Sequence, residues 1–485
     1  MNTEVIVNGQ KSSRVRDSLV LWVLGGTIGS IGMSVFGTIV GSTPSPATVT
    51  WWYFITLRGT LLADVLFYFF VVLLVTSWIG VGLHARRGTL LVKHCWIILC
   101  LWGVPLLLGP PMFGRDLYSY VAQGLIAHQG MNPYHVTPEV LGAGPNLDSI
   151  ASVWRNTIAP YGPLFLSLSR GLVSLAGHSL VVQVLLMRSL EIIGFVLVMV
   201  FLPRLARQQS VNPGLALWLV ALSPLALTSL IASGHNDALM IGLVVAGVSL
   251  ALEGRLAIGF GICAVAASIK LPAAAAILFL GVDEFRRADR TRRLRILFDA
   301  ILLPIAIIVG ITLAAGYGWT WLGPQALKVP GLVRALMTPS VSLGSFAYSI
   351  LDLVGVHVAS HTMVSIFQVM CTVLTLSGCA WLLVNAQKLN VVRALGLALL
   401  LFSVGSPTLW PWYLMWGISL LAATSAQRSR VLVILAGFAI FLVDAAGTPT
   451  ISGWGVYVTG PLVIAGVIWF VKTRHWEKVV AGAGL

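Results

Sequence analysis

Long apolar runs separated by short polar segments dominate the sequence. A membrane-spanning helix needs ~20 mostly apolar residues, because lipid offers no hydrogen-bond partner to a bare backbone. We therefore predict an all-α polytopic membrane protein with about fourteen transmembrane helices and outer juxtamembrane helices. The predicted spans are residues 19–40, 60–83, 95–112, 181–202, 215–233, 238–252, 256–269, 271–282, 298–316, 362–384, 394–406, 411–424, 431–446 and 455–471.

Basic residues between the runs set the predicted orientation. With a cytoplasmic N-terminus, about three quarters of the Lys and Arg residues fall on the inner side, as the positive-inside rule requires. Both termini are then cytoplasmic, and two long segments, 113–180 and 317–361, lie outside within a single domain, 1–485. The apolar stretch 161–177 becomes a juxtamembrane helix of the first outer segment, since counting it as a span would move Arg204 and Arg207 outside.

Composition excludes several classes of protein. The chain is 58% hydrophobic and 9% charged, against ~25% charged residues in soluble domains. The net charge of +14 belongs to the inner side and therefore reflects topology, so we expect membrane lipids and no nucleic acid as partners. The five cysteines lie in apolar runs, and no nucleotide-binding motif is present.

Segment 114–134, GRDLYSYVAQGLIAHQGMNPY, carries the most informative polar pattern. As a helix it places Asp116, Tyr120 and Gln123 on one face and apolar residues on the other, which predicts an amphipathic helix at the outer interface. Asp116 is then either a catalytic carboxylate or a helix cap paired with Arg115.

Segment 153–170, VWRNTIAPYGPLFLSLSR, follows in the same outer region. Pro160 and Pro163 break the chain before an apolar helix. Arg155 and Arg170 place cations near the outer surface, where they either contact substrate or extend to lipid headgroups.

Charged residues inside apolar runs are candidates for function, because charge is costly in a membrane. Arg188 and Glu191 are three residues apart, so they either form an ion pair or contact substrate. Lys270 lies at the break between two predicted short helices. Its partner is either a phosphate or carboxylate group of a ligand, or an acidic residue of the protein: Asp116, Asp237 or Glu191.

The sequence SGHNDALM, residues 233–240, forms a dense polar group between two spans. Asp237 either caps the next helix or joins His235 and Asn236 in binding an anionic or sugar group. The aromatic residues near predicted outer ends belong to the interfacial belt or stack on sugar faces; they are Trp319, Trp321, Trp410 and Trp412.

These motifs, GRDLYSYVAQG, NPY, APYGPL, GHNDALM and the SIKLP break, resemble those of the polyprenol-phosphomannose-dependent α-1,6-mannosyltransferases of actinobacteria. The resemblance implies the GT-C glycosyltransferase fold, a polyprenyl-phosphate-mannose donor, and an α-1,6-mannan acceptor of lipomannan or lipoarabinomannan type. It also implies a plasma-membrane enzyme whose active site lies on the outer face. The family's carboxylate matches Asp116. Other enzymes carry a second acid directly after it, where this chain has Leu117 and Tyr118, so the resemblance does not imply a bound divalent metal. We expect no cofactor.

The implied reaction is an inverting transfer with Asp116 as general base. Cations should stabilise the leaving phosphate, and the candidates are Lys270, Arg188, His235 and Arg170. The candidates for sugar or substrate binding are Tyr118, Tyr120, Gln123, Tyr161, Asn236, Asp237, Trp410 and Trp412.

Three other interpretations stay open at this stage. A related enzyme could use another polyprenyl-phosphate sugar, such as arabinofuranose. A lipid-linked sugar flippase would place its charges near the bilayer midplane. A structural scaffold leaves Arg188, Glu191 and Lys270 unexplained.

Overall fold

The computed structural model describes residues 3–42, 60–323, 334–425 and 430–472, and these ranges fold as helices joined by short connections. The α-helices are α1 Thr3–Val40, α2 Leu61–Arg86, α3 Val92–Leu108, α4 Asp116–His128, α5 Pro145–Asp148, α6 Ser152–Arg155, α7 Pro163–Ala176, α8 Leu180–Met187, α9 Ser189–Gln208, α10 Pro213–Val220, α11 Asp237–Leu252, α12 Leu256–Ala267, α13 Ala274–Arg287, α14 Arg290–Leu297, α15 Leu303–Ala315, α16 Pro339–Leu353, α17 Ser360–Val384, α18 Ala386–Leu389, α19 Val391–Gly405, α20 Leu414–Ser425, α21 Arg430–Phe438 and α22 Val456–Lys472. Short 3₁₀ or π turns occupy Pro138–Leu141, Ala226–Ala232, Leu271–Ala273, Phe298–Leu302, Thr320–Leu322, Pro411–Tyr413, Ala439–Leu442 and Gly453–Gly455.

The all-helical, apolar character of a membrane protein is confirmed. In the described ranges, five helical stretches are long and apolar enough to cross a bilayer: Ser18–Val40, Leu61–Arg86, Leu180–Gln208, Arg290–Ala315 and Ser360–Val384. A sixth crossing is formed if Ala226–Ala232 and Asp237–Leu252, bent by 113°, act as one span.

The other predicted spans correspond to shorter helices. Residues 95–112, 256–269 and 394–406, for example, contain α3, α12 and α19, which have 17, 12 and 15 residues. Length alone therefore does not confirm fourteen crossings, and that number stays a prediction. The break predicted at Lys270 is present, since Leu271–Ala273 separates α12 from α13.

Close helix packing builds the core. Gly29 of α1 lies against the backbone of α2, where an added Cβ would sit 3.0 Å from Phe70 O and Leu74 N. Trp78 and Trp218 stack with ring centroids 4.7 Å apart. Each indole N–H donates to the other's carbonyl, at 3.0 and 2.8 Å, which satisfies both polar groups inside the core.

The helix predicted within segment 114–134 is present as α4, Asp116–His128, and its position at the membrane interface stays a prediction. In α4 both faces are buried, including Tyr120 and Gln123 on the polar side and Leu117 and Val121 on the apolar side. Gly124 packs against α7, where a Cβ would lie 2.8 Å from Ser169 O. On the polar side, Asp116 reaches the wall of a cavity and Tyr120 packs against other aromatic rings. Periodicity cannot distinguish such a buried polar face from a solvated one.

The two long segments that are predicted to lie outside, 113–180 and 317–361, are only partly regular. The first contains α4 to α7, and α7, Pro163–Ala176, corresponds to the predicted helix 161–177. The second contains α16, Pro339–Leu353, whereas residues 324–333 of that segment lie outside the described part of the chain.

Candidate active site

A cavity of about 710 Å³ lies where the start of α4 meets α13, α17, α19 and the turn before α20. One end carries a carboxylate, an ammonium group and several aromatic rings: Asp116, Trp154, Tyr161, Lys270, Trp410, Tyr413 and Trp416. The remaining wall is mostly apolar and includes Leu278, Phe279, Leu376, Cys379, Leu383, Ala398, Leu399 and Phe402.

Asp116 is the first residue of α4, and its side chain is 14% exposed on the cavity wall. Its Oδ2 lies 3.6 Å from His235 Nε2, so the ionisable side chain beside it is His235 rather than the predicted Arg115. Burial raises the pKa of the Asp116 carboxyl above its ordinary value, and positive charge at His235 and Lys270 opposes that rise. An elevated pKa on a cavity wall is suited to a group that accepts a proton.

His235 lies in the bend between Ala226–Ala232 and α11, which brings it behind Asp116. Its Nδ1 contacts Ser229 O at 2.5 Å, and its ring stacks on Trp412 with centroids 3.6 Å apart. Gly114 makes this approach possible, because a Cβ there would lie 3.0 Å from His235 Cε1.

Lys270 and Asp237 form a buried ion pair. Lys270 Nζ donates to both carboxylate oxygens of Asp237 at 2.9 Å, so Asp237 is the internal partner among the three considered. Trp416 Nε1 donates to Asp237 Oδ1 at 2.5 Å. The ammonium also lies 4.6 Å from the Tyr413 ring centroid, within range of a cation–π interaction. Asp237 thus does more than begin α11, since it holds Lys270 on the cavity wall.

Arg188 is fully buried and is not on the cavity wall. Its guanidinium donates to Leu107 O and Ala232 O at 2.5 Å and to Gly109 O at 2.6 Å. In the described ranges it forms no ion pair with Glu191 within 4.0 Å. Arg188 therefore ties the end of α3 to the bend before His235, and its position does not support a contact with donor phosphate.

The other predicted residues divide by position. Tyr161 and Trp410 line the cavity. Tyr120 and Trp412 lie one layer behind, since Tyr120 packs edge-on against Tyr161 at 5.1 Å and Trp412 stacks on Trp410 at 4.9 Å.

The remaining candidates lie away from the wall. Tyr118, Gln123 and Asn236 are buried without lining the cavity, and Arg170 is exposed on α7. Arg155 donates to Ile150 O and Asp148 O, so it braces its own loop.

Three further aromatic residues line the cavity although they were not among the predicted site residues: Trp154, Tyr413 and Trp416. Tyr413 and Trp416 belong to the aromatic run 406–416, SPTLWPWYLMW. Tyr413 and Trp416 are three residues apart at the start of α20, so one face carries both rings. Aromatic residues in such a run are typical of the interfacial belt, so the sequence alone does not distinguish these cavity residues from lipid-facing ones. Among the described residues, no group of three or more His, Cys, Asp or Glu side chains could hold a metal ion.

Comparison with known proteins covers both halves of the chain. Residues 22–285 match the N-terminal domain of the alpha-(1->6)-mannopyranosyltransferase family, and residues 340–475 match the MptB C-terminal domain. No solved structure matches.

Curated relatives agree with these family matches. A probable alpha-(1->6)-mannopyranosyltransferase of Mycolicibacterium smegmatis is 32% identical over 73% of this chain and 70% of its own length. Alpha-(1->6)-mannopyranosyltransferase A is 29% identical in Mycobacterium tuberculosis, over 79% of this chain and 75% of the relative, and 29% identical in Corynebacterium glutamicum, over 70% and 72%. The chain therefore belongs to the alpha-(1->6)-mannopyranosyltransferase family.

Proposed function

We propose that this protein transfers mannose from polyprenyl-phosphate-mannose to the 6-hydroxyl of an α-1,6-mannan, on the outer side of the plasma membrane and with inversion. One observation carries the proposal: Asp116 and Lys270 line the same cavity, whose remaining wall is largely apolar. The names of the relatives support mannosyl transfer. Lipomannan or lipoarabinomannan is the proposed acceptor class.

The carboxylate and the ammonium have complementary tasks in this reaction. Asp116 takes the proton of the acceptor 6-hydroxyl while that oxygen bonds to the anomeric carbon. The bond between that carbon and the donor phosphate oxygen breaks, and the phosphate leaves with the bonding electrons. A positioned base contributes ~10²–10⁴-fold to such a step.

Lys270 is the proposed contact for the leaving phosphate. An ammonium group has three N–H donors, and two of them point to Asp237. The third is available to an oxyanion in the cavity, where low polarity strengthens the attraction. This geometry favours Lys270 over Arg188 and Arg170, which do not line the cavity.

Aromatic side chains surround these two groups. Trp154, Tyr161, Trp410 and Tyr413 line the same end of the cavity. Flat rings pack well on the apolar faces of sugars, so they are the proposed mannose contacts.

The apolar wall supports a lipid-linked donor. Its residues come from α13, α17 and α19, and α17 exposes large apolar side chains such as Val369 and Leu374. Thr372 and Leu383 both line the cavity and are eleven residues apart on α17, about 16 Å at the helical rise. A prenyl chain would follow this wall into the bilayer.

The charge distribution supports an outer active site. α13 begins beside Lys270 and ends at Arg286 and Arg287, and α14 continues with a basic stretch at 290–295. Basic segments favour the cytoplasmic side. The polar end of the cavity is at the opposite end of α13, about 21 Å away for its 14 residues.

The test is transfer by the purified protein in lipid nanodiscs, supplied with polyprenyl-phosphate-mannose and a short α-1,6-mannoside. We expect released polyprenyl phosphate and a glycan longer by one α-1,6-linked mannose. Asp116→Asn should reduce turnover by about 10² or more while donor binding is retained. The matched control is Asp148→Asn at the exposed last residue of α5.

Three outcomes would contradict the proposal. Normal turnover by Asp116→Asn removes the assignment of the base. Transfer from an arabinofuranosyl donor alone favours a related enzyme, and movement of the donor across the bilayer without glycan growth favours a flippase.

A further inference from the structure

The hydrogen bonding of His235 fixes which of its nitrogens carries a proton. A carbonyl oxygen only accepts, so the 2.5 Å contact between Nδ1 and Ser229 O requires the proton on Nδ1. A neutral imidazole then presents Nε2 as a lone pair. Because the ring is fully buried and stacked on Trp412, it cannot turn to exchange its two nitrogens.

That lone pair faces Asp116. The separation of 3.6 Å between Nε2 and Oδ2 exceeds the 2.7–3.2 Å of a hydrogen bond, as expected of two acceptors without a proton between them. The described structure gives Nε2 no hydrogen-bond partner although it is buried. One added proton would convert this contact into a charge-assisted hydrogen bond.

The charged groups around this pair favour storage of a single proton. Besides His235, Asp116 faces the ammonium of Lys270, the second carboxylate Asp237 and the Trp154 side chain. Lys270 and Asp237 largely neutralise each other through their own contact. The proton affinity of the Asp116–His235 pair is therefore set mainly by its two members, which titrate as a unit.

From this geometry we infer that His235 is a positioning residue that receives, through Asp116, the proton removed from the acceptor hydroxyl. The inference rests on the proposed function. Before transfer both groups are unprotonated. Attack by the acceptor oxygen delivers one proton to Asp116, which shares it between Oδ2 and His235 Nε2. The proton leaves to water after the product, so no oxidant, reductant or further reactant is needed.

The experiment measures kcat and KM against pH for the wild type and for His235→Gln and His235→Phe. Neither replacement can take the proton, so the pair loses one of its two proton-binding sites and its affinity for the first proton falls. The acidic limb of the rate profile should move to lower pH by about one unit. It should move furthest in His235→Gln, whose amide N–H also favours the carboxylate. We expect kcat to fall at least tenfold while KM for the donor stays unchanged.

His235→Phe keeps an aromatic ring against Trp412, so it provides a second variant if the glutamine disturbs folding. His178→Gln, at an exposed position in the segment 113–180 that also contains Asp116, should leave the profile at the wild-type pH. A limb that does not move in a folded variant overturns the inference, as does a rise in donor KM with kcat unchanged. If the wild type transfers mannose but the acidic limb does not move in the His235 variants, only the role of His235 is refuted. If the wild type does not transfer mannose, the proposed function itself is refuted.

Discussion

At the scale of residues, the site depends on charges that are held in pairs. Lys270 binds Asp237 through both oxygens, and Trp416 adds a third hydrogen bond to the same carboxylate. Asp237 is fully buried, so it relies on these donors for the stabilisation that water would provide. The pair holds Lys270 on the cavity wall in a defined orientation.

Lys270→Met should therefore affect both stability and catalysis. It leaves the Asp237 carboxylate buried and unpaired, at a cost of about 3–5 kcal/mol in the free energy of unfolding. The double variant Lys270→Met/Asp237→Asn removes the unpaired charge, so thermal stability in detergent should recover while transfer stays at least 10²-fold low. If the double variant transfers at the wild-type rate, Lys270 does not stabilise the leaving group.

At the scale of elements, three helices form the apolar wall of the cavity. Cys379 of α17 donates to Ala398 O of α19 at 3.5 Å, and both residues line the cavity. We call the part of the apolar wall between α17 and α19 the groove. Large apolar side chains elsewhere on α17 point away from the protein, among them Val369, which is 64% exposed. The two faces of α17 therefore allow matched substitutions.

Cys379→Phe should obstruct the groove and weaken the binding of donors that carry a long prenyl chain. Loss of about 60 Å² of apolar contact corresponds to roughly tenfold in KM. A donor with a short, branched alkyl chain should retain its wild-type KM, because it does not extend along the wall. Val369→Phe, on the outward face of α17, is the control and should change the KM of neither the long-chain nor the short-chain donor. Equal losses with both donors would mean that the groove does not hold the chain.

At the scale of the whole molecule, both halves of the chain are needed for one site. Asp116 and Lys270 come from the half matched at 22–285, whereas Tyr413 and Trp416 come from the half matched at 340–475. The hydrogen bond between Trp416 and Asp237 joins the two. The distribution of basic segments predicts how this assembly is oriented in the membrane.

Cysteine labelling tests that orientation. In a cysteine-free variant, Val140→Cys in the first outer segment should react in intact cells with a maleimide that does not cross membranes. Leu294→Cys in the basic α14 should react only after lysis. Both residues are exposed, Val140 by 47% and Leu294 by 78%, so the protein itself shields neither position from the reagent. The reverse pattern would put the active site on the cytoplasmic side.

The sequence by itself determined the class of protein and its most informative segments. Apolar runs specify helices because lipid leaves the backbone no other partners, and the polar residues Asp116, His235, Asp237 and Lys270 stand out against that background. Resemblance to a family assigned Asp116 its role. These features are local in the chain, so they are visible without a fold.

Only the tertiary structure decided which of these residues meet. Arg188 and Lys270 are alike in sequence, since both are cations within apolar runs. In the structure Arg188 donates its hydrogen bonds to three backbone carbonyls, whereas Lys270 lines the cavity. Tyr120 and Gln123 on the polar face of α4 are buried within the protein rather than solvated. The contact between His235 and Asp116 spans more than a hundred residues and needs the absent side chain of Gly114. The physical reason is that periodicity reports how polar a face is, whereas its neighbours are set by the packing of distant segments.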